Sequence, residues 1–166
     1  MGKELNALRS ICGKDITAST ANANGADEGV ELRVFHKCAE ALCRSYVILK
    51  ARYSLSERDM AELSSRINNL PDSVEKRLVE SLAEEKKAQM DEDCWLLFLF
   101  DTAFVTLDVN EKNVIQQLYV EGKKWADVRG LDGMIMSVFQ ISKFRKSSMK
   151  KIATVIQRMI PPTPST

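Results

Sequence analysis

The stretch Cys94-Trp95-Leu96-Leu97-Phe98-Leu99-Phe100-Asp101-Thr102-Ala103-Phe104 decides the fold class of this chain. From Trp95 to Phe100 it is apolar at six successive positions. Such a run covers every side of a helix, so a helix here is expected at the centre of the core, with its aromatics as packing residues. A sandwich or barrel would need many more turn residues than the 7 Gly and 4 Pro present. Three of those prolines are Pro161, Pro162 and Pro164, and between Pro71 and Pro161 none interrupts a helix. The reading is an all-α protein. Its 166 residues suit one compact unit, and 45% hydrophobic with 28% charged residues excludes a wholly disordered chain.

Working outward toward the N-terminus, Asp91, Glu92 and Asp93 read as the acidic start of this central helix, where the helix dipole favours negative charge. Before it, a mostly solvated helix is expected from Asp72 or Ser73, with Lys86 and Lys87 near its end. Phe35, Cys38, Leu42, Tyr46, Leu49 and Tyr53 recur three or four residues apart and predict an amphipathic helix from Val34 to Tyr53. Ser54 and Ser56 offer N-cap oxygens for a further helix running to Asn68 or Asn69. Residues 1–28 carry Leu5, Leu8 and Cys12 at helical spacing and then a run of small polar residues, which reads as a flexible N-terminal arm. Residues 29–106 thus form a helical N-terminal region, and 161–166 a Pro-rich tail.

The four cysteines, Cys12, Cys38, Cys43 and Cys94, read as buried reduced thiols of a cytoplasmic protein. His36 lies near two of them, but Cys38 and Cys43 stand about 140° apart around a helix and a fourth ligand is not obvious, so no metal is assigned. One histidine, no glycine-rich phosphate loop and no nucleophile elbow speak against an enzyme. No catalytic residue and no cofactor are therefore assigned. The apolar run around Trp95 is shorter than the ~20 residues that span a bilayer, and Met1 to Thr20 is too polar for a signal peptide, so no membrane contact is expected.

Charge is the first pointer to function. The chain carries 24 Lys and Arg against 23 Asp and Glu, yet from Gly133 to Thr166 there are six basic residues and no acid. One end is +6 and the remainder −5, the asymmetry of a protein that presents one end to a polyanion.

That basic end has an internal order. Asp108 can cap a helix and Glu111 complete a capping box. Val114, Ile115, Leu118 and Tyr119 give this helix an apolar face, and Gly122 suits the left-handed conformation past its end. A short helix over Lys123–Val128 is expected next, then a turn at Gly130–Gly133 and a long last helix capped by Ser137. Three helices with a turn before the third make a helix-turn-helix plan, so the expectation is a helical bundle with a C-terminal helix-turn-helix over residues 107–160.

Leu107, Glu111, Val114-Ile115, Tyr119-Val120-Glu121-Gly122, Trp125 and Val128, followed by Ser137, Gln140-Ile141, Phe144-Arg145-Lys146 and Met149-Lys150-Lys151-Ile152, resemble region four of RNA polymerase sigma factors. The likeness is closer still to the sigma-like phage transcriptional activators of Gram-positive bacteria. It implies a DNA-binding transcription regulator whose helix from Ser137, itself one of the DNA-binding residues, enters the major groove of double-stranded DNA, with Val138, Phe139, Gln140, Ser142 and Lys143 near base edges. Lys143, Arg145, Lys146, Lys150 and Lys151 would neutralise phosphates. On this reading the N-terminal helices serve contact with RNA polymerase or dimerisation, the surplus of apolar residues in Val34–Tyr53 and Cys94–Phe104 closing one core or burying part of itself in a homodimer. Departures from the pattern are Arg129-Gly130 where a small alanine is usual, a long turn through Leu131–Met136, and Phe139 on the recognition surface. They support a second reading, a protein-interaction module on a degenerate helix-turn-helix that no longer binds DNA and contacts its partner through Met134, Ile135, Met136 and Phe139.

Overall fold

A computed structural model describes Ala7, Leu8, Cys12 and residues 28–160. It is all-helical, with helices α1 (Glu28–Asn69), α2 (Val74–Val105), α3 (Val109–Ile115) and α4 (Val138–Met159). A π-helical turn at Gln116–Val120 continues α3, and a 3-10 turn at Trp125–Asp127 precedes the loop to α4.

Where two helices each were expected, α1 and α2 run unbroken. α1 passes through Ser54 and Ser56 for 42 residues, about 63 Å at 1.5 Å per residue. No N-cap forms at Ser56; its side chain is buried between the helices and its hydroxyl has no hydrogen-bond partner among the described residues. Nothing but Pro or Gly would force a break, and packing against α2 favours continuity over the modest local preference of serine for a cap. α2 likewise passes through Asp91–Asp93 in its interior. Asp93 is not helix-start charge: it is fully buried and held by the Arg52 guanidinium, whose Nε donates to Oδ2 at 2.7 Å and whose Nη2 donates to Oδ1. Gln89 Nε2 adds a third bond at 3.2 Å. The expected cap at Ser73 is present, its hydroxyl accepting from Lys76 N at 3.3 Å.

The pairs Arg52–Asp93 and Asp59–Lys86 rise on α1 as they fall on α2, which makes the two helices an antiparallel hairpin. Its two halves differ. The proximal half carries the main core, in which Leu42 and Leu49 of α1, Leu96 and Leu99 of α2, and Ile152 and Ile156 of α4 are buried. Tyr46 stacks on Phe100 at 4.1 Å between centroids, and Phe100 on Phe104 at 5.6 Å. The distal half buries only Ser56, Val79 and Ala83.

The central stretch is partly surface, in contrast to its all-round apolar reading. Leu96, Leu99 and Phe100 are buried, Trp95 and Leu97 half-buried, and Phe98 exposed. Cys94, expected to be buried, is exposed, since α1 and α4 cover only part of the α2 circumference. Cys38 and Cys43 are buried, and burial pushes the Cys43 thiol up to about 12. A hydrogen bond joins the Cys12 and Cys38 thiols and raises the pKa of Cys12. Ala7 and Leu8 pack in the main core, so these positions of the expected N-terminal arm are docked; the rest of residues 1–27 and the tail 161–166 lie outside the described residues. Among the described residues no three His, Cys, Asp or Glu are grouped to hold a metal, and no helix is long and apolar enough to cross a membrane.

Candidate nucleic-acid interface

The basic end is built on two capping boxes. Asp108 accepts from Asn110 N and Glu111 N, and Glu111 Oε2 returns a bond to Asp108 N at 2.9 Å, so α3 starts where the sequence indicated. Ser137 Oγ accepts from Gln140 N, and Gln140 Oε1 accepts from Ser137 N at 3.0 Å, which fixes the start of α4. Gly122 has φ 66°, the left-handed value read for it.

Between these points the chain departs from the expected short helix. Only Trp125–Asp127 form one 3-10 turn, leaving Lys123 and Lys124 outside it. Beyond it lies a small hairpin-like loop, in which Arg129 bridges Ile135, Gly130 N donates to Met134 O at 2.8 Å and Met136 N to Val128 O at 2.9 Å. Gly133 has φ 79°, which a side chain would strain.

Gln117 holds this loop, a role that no sequence pattern announced. Its Nε2 donates to Arg129 O at 2.7 Å and its Oε1 accepts from Arg129 N at 3.0 Å, so one buried amide satisfies both backbone groups of Arg129. Asn113 Nδ2 shares the same carbonyl at 2.7 Å. Beneath, Val114 of α3, Val128 of the loop and Ile141 of α4 form a second small core, with Leu118, Met136 and Phe144 packed around it.

The ten candidate DNA-contacting residues divide according to where α4 turns them. Phe139, Lys143, Lys146 and Lys150 are exposed and fall at i, i+4, i+7 and i+11, one stripe along the outer face that Ser147 and Thr154 flank without an acid. Among the described residues these three lysines make no ion pair. Val138 and Gln140 lie exposed at its start; Gln140 spends its oxygen on the cap and keeps its NH2 donor outward. Ser137 is the cap, and Ser142 is half-buried at the side.

Arg145 and Lys151 point elsewhere. Arg145 donates to Glu40 Oε1 at 2.7 Å and to the Tyr119 hydroxyl at 2.8 Å, tying α4 to α1. Hydrogen bonding to Arg44, reinforced by Arg145, holds the Glu40 carboxyl below the usual carboxylate range. Lys151 donates to the buried Glu111 at 2.7 Å, and that bond raises its pKa. Both cations therefore serve the fold, and the free charge of the helix is narrower than its count of basic residues. A shallow depression beside Arg145, lined also by Arg44, Lys123, Tyr119 and Trp125, adds no free cation, since Glu40 or Glu121 already pairs each of the three.

At the N-terminal end of the stripe, Leu131, Met134, Ile135, Val138 and Phe139 are all exposed, Phe139 to 79%. Of the four residues expected at a protein contact, Met134, Ile135 and Phe139 are exposed, whereas Met136 packs inward on the second core. Compared with family models, with curated proteins and with solved structures, the chain matches none.

Proposed function

We propose that the chain is a DNA-binding transcription regulator of the sigma-like phage or prophage type, reading double-stranded DNA with the outer face of α4 from a helix-turn-helix in residues 107–160. The observation that carries this reading is the acid-free stripe of Phe139, Lys143, Lys146 and Lys150, exposed and without intramolecular ion pairs among the described residues. A helix fits the major groove, where unpaired lysines neutralise phosphates and Gln140 and Ser142 can hydrogen-bond base edges. Arg145 and Lys151 act in this account as positioning residues, the first setting α4 against α1 and the second against α3.

Lys146→Glu combined with Lys150→Glu is expected to abolish retention of duplex DNA while leaving the helical content unchanged, because both side chains are exposed. Retention of DNA by this variant at wild-type strength would remove the proposed face. A second reading, a protein-interaction module, draws on the exposed cluster of Leu131, Met134, Ile135 and Phe139, an apolar patch of the kind that marks a protein contact. It predicts that Phe139→Ala breaks a complex that DNA does not affect.

A further inference from the structure

The negative charge of the molecule is also localised. Beyond the Arg52–Asp93 pair, residues 53–92 of the hairpin hold six basic and ten acidic residues, a net charge of −4. On α2 this segment exposes Val74, Leu78 and Leu82, which recur every four residues and so share one face. Below Leu82 a shallow depression continues that face, lined by Glu85, Lys86, Ala88, Gln89 and Glu92, with Lys86 paired to Asp59. The basic end has the opposite chemistry, exposed Met134, Ile135 and Phe139 running into Lys143 and Lys146.

We propose that the acidic distal hairpin of one copy docks on the basic, apolar end of a second copy, and that two such contacts close a reciprocal dimer. Leu78 and Leu82 meet Met134, Ile135 and Phe139, while Glu75 and Glu85 face Lys143 and Lys146. Charge decides between the possible pairings. Hairpin on hairpin sets −4 against −4, and basic end on basic end sets lysine stripe against lysine stripe. Only hairpin on basic end joins opposite signs. The contact forms between copies because α1 and α2 are continuous helices, so no hinge lets the hairpin fold onto its own basic end. Each copy has one hairpin and one basic end, and a two-fold axis satisfies both at once, giving a closed dimer rather than a filament.

Phe139, Lys143 and Lys146 would be covered in this dimer, so dimer and DNA exclude each other. That consequence rests on the DNA reading above; the dimer itself does not.

Sedimentation velocity of the full chain tests the contact. At low salt the wild type is expected to show a concentration-dependent dimer, weakened at least about tenfold in roughly 500 mM salt. Glu75→Lys with Glu85→Lys should sediment as a monomer, and so should Lys143→Glu with Lys146→Glu. An equimolar mixture of the two variants should dimerise again, because the reversed hairpin then meets the reversed basic end. All four positions are exposed, and circular dichroism confirms that each variant is folded. A monomeric wild type at low salt, a variant that dimerises alone, or a mixture of folded variants that stays monomeric would each overturn the proposal. Duplex DNA retention by the hairpin variant is measured separately. Failure there counts against the DNA reading alone, and an absent dimer counts against this contact alone.

Discussion

The two halves of the α1–α2 hairpin have the same helical backbone and different reasons to keep it. In the proximal half Leu42, Leu49, Leu96 and Leu99 are buried under α4, and apolar burial holds the helices together. Among the described residues the distal half has no third helix against it and buries only Ser56, Val79 and Ala83. Its cohesion rests on the ion pairs Arg52–Asp93 and Asp59–Lys86 and on helix propensity, terms that are individually small or easily upset. A helical hairpin can thus project from a core without a core of its own, provided its side chains pair across the seam.

The sharpest way to break this contrast is to truncate a leucine in each half. Leu96→Ala removes a fully buried side chain from the main core and is expected to cost about 2–5 kcal/mol in a denaturant titration. Leu78→Ala, on the exposed face, should change stability by under about 0.5 kcal/mol. Equal losses would mean that the distal half is packed against something in solution.

Next in size is Arg52→Met, which leaves the Asp93 carboxylate buried with only Gln89 as donor. Arg52 is 44% exposed, so water takes up part of the loss and the cost is on the order of 3 kcal/mol. Ser56→Ala goes the other way. It removes a buried hydroxyl without a partner among the described residues and improves helix propensity, so the unfolding free energy should rise by roughly 1 kcal/mol. No gain would indicate that the hydroxyl is bonded to water.

The smallest effect concerns the α1–α4 junction. The pKa of Glu40 is lowered in the folded state, chiefly by Arg44 and further by Arg145. Its contribution is therefore present above the unfolded value near pH ~4.3 and is lost as pH falls through the lower folded value. Arg145→Met should flatten the acid limb of the stability curve; an unchanged limb would mean that Glu40 gains nothing from the contact.

The sequence made the all-α class legible because the apolar run at Trp95–Phe100 and the scarcity of Gly and Pro act locally. The caps at Ser73, Asp108 and Ser137 and the left-handed Gly122 were legible for the same reason, each needing only a few neighbouring residues. What local pattern could not show was contact across the chain. Ser56 reads as a cap and Asp93 as helix-start charge until α1 and α2 are set side by side, when both turn inward to the seam. Arg145 and Lys151 likewise stand among the phosphate contacts that the resemblance implies, and only the fold brings Glu40, 105 positions away, and Glu111, 40 positions away, to meet them. Lys143, Lys146 and Lys150 differ from them only in that, among the described residues, no acid lies within ion-pair reach.

The central claim is that α4 offers DNA three free lysines rather than five cations. The most direct measurement is the affinity for duplex DNA between about 50 and 200 mM salt, whose logarithmic slope counts the phosphates neutralised at about 0.9 for each. Three contacts predict a slope of about −3 for one copy, unchanged in Lys151→Met and reduced by about one in Lys146→Met. A slope near about −4.5 that falls by about one in Lys151→Met, or no retention at the lowest salt, would contradict the claim.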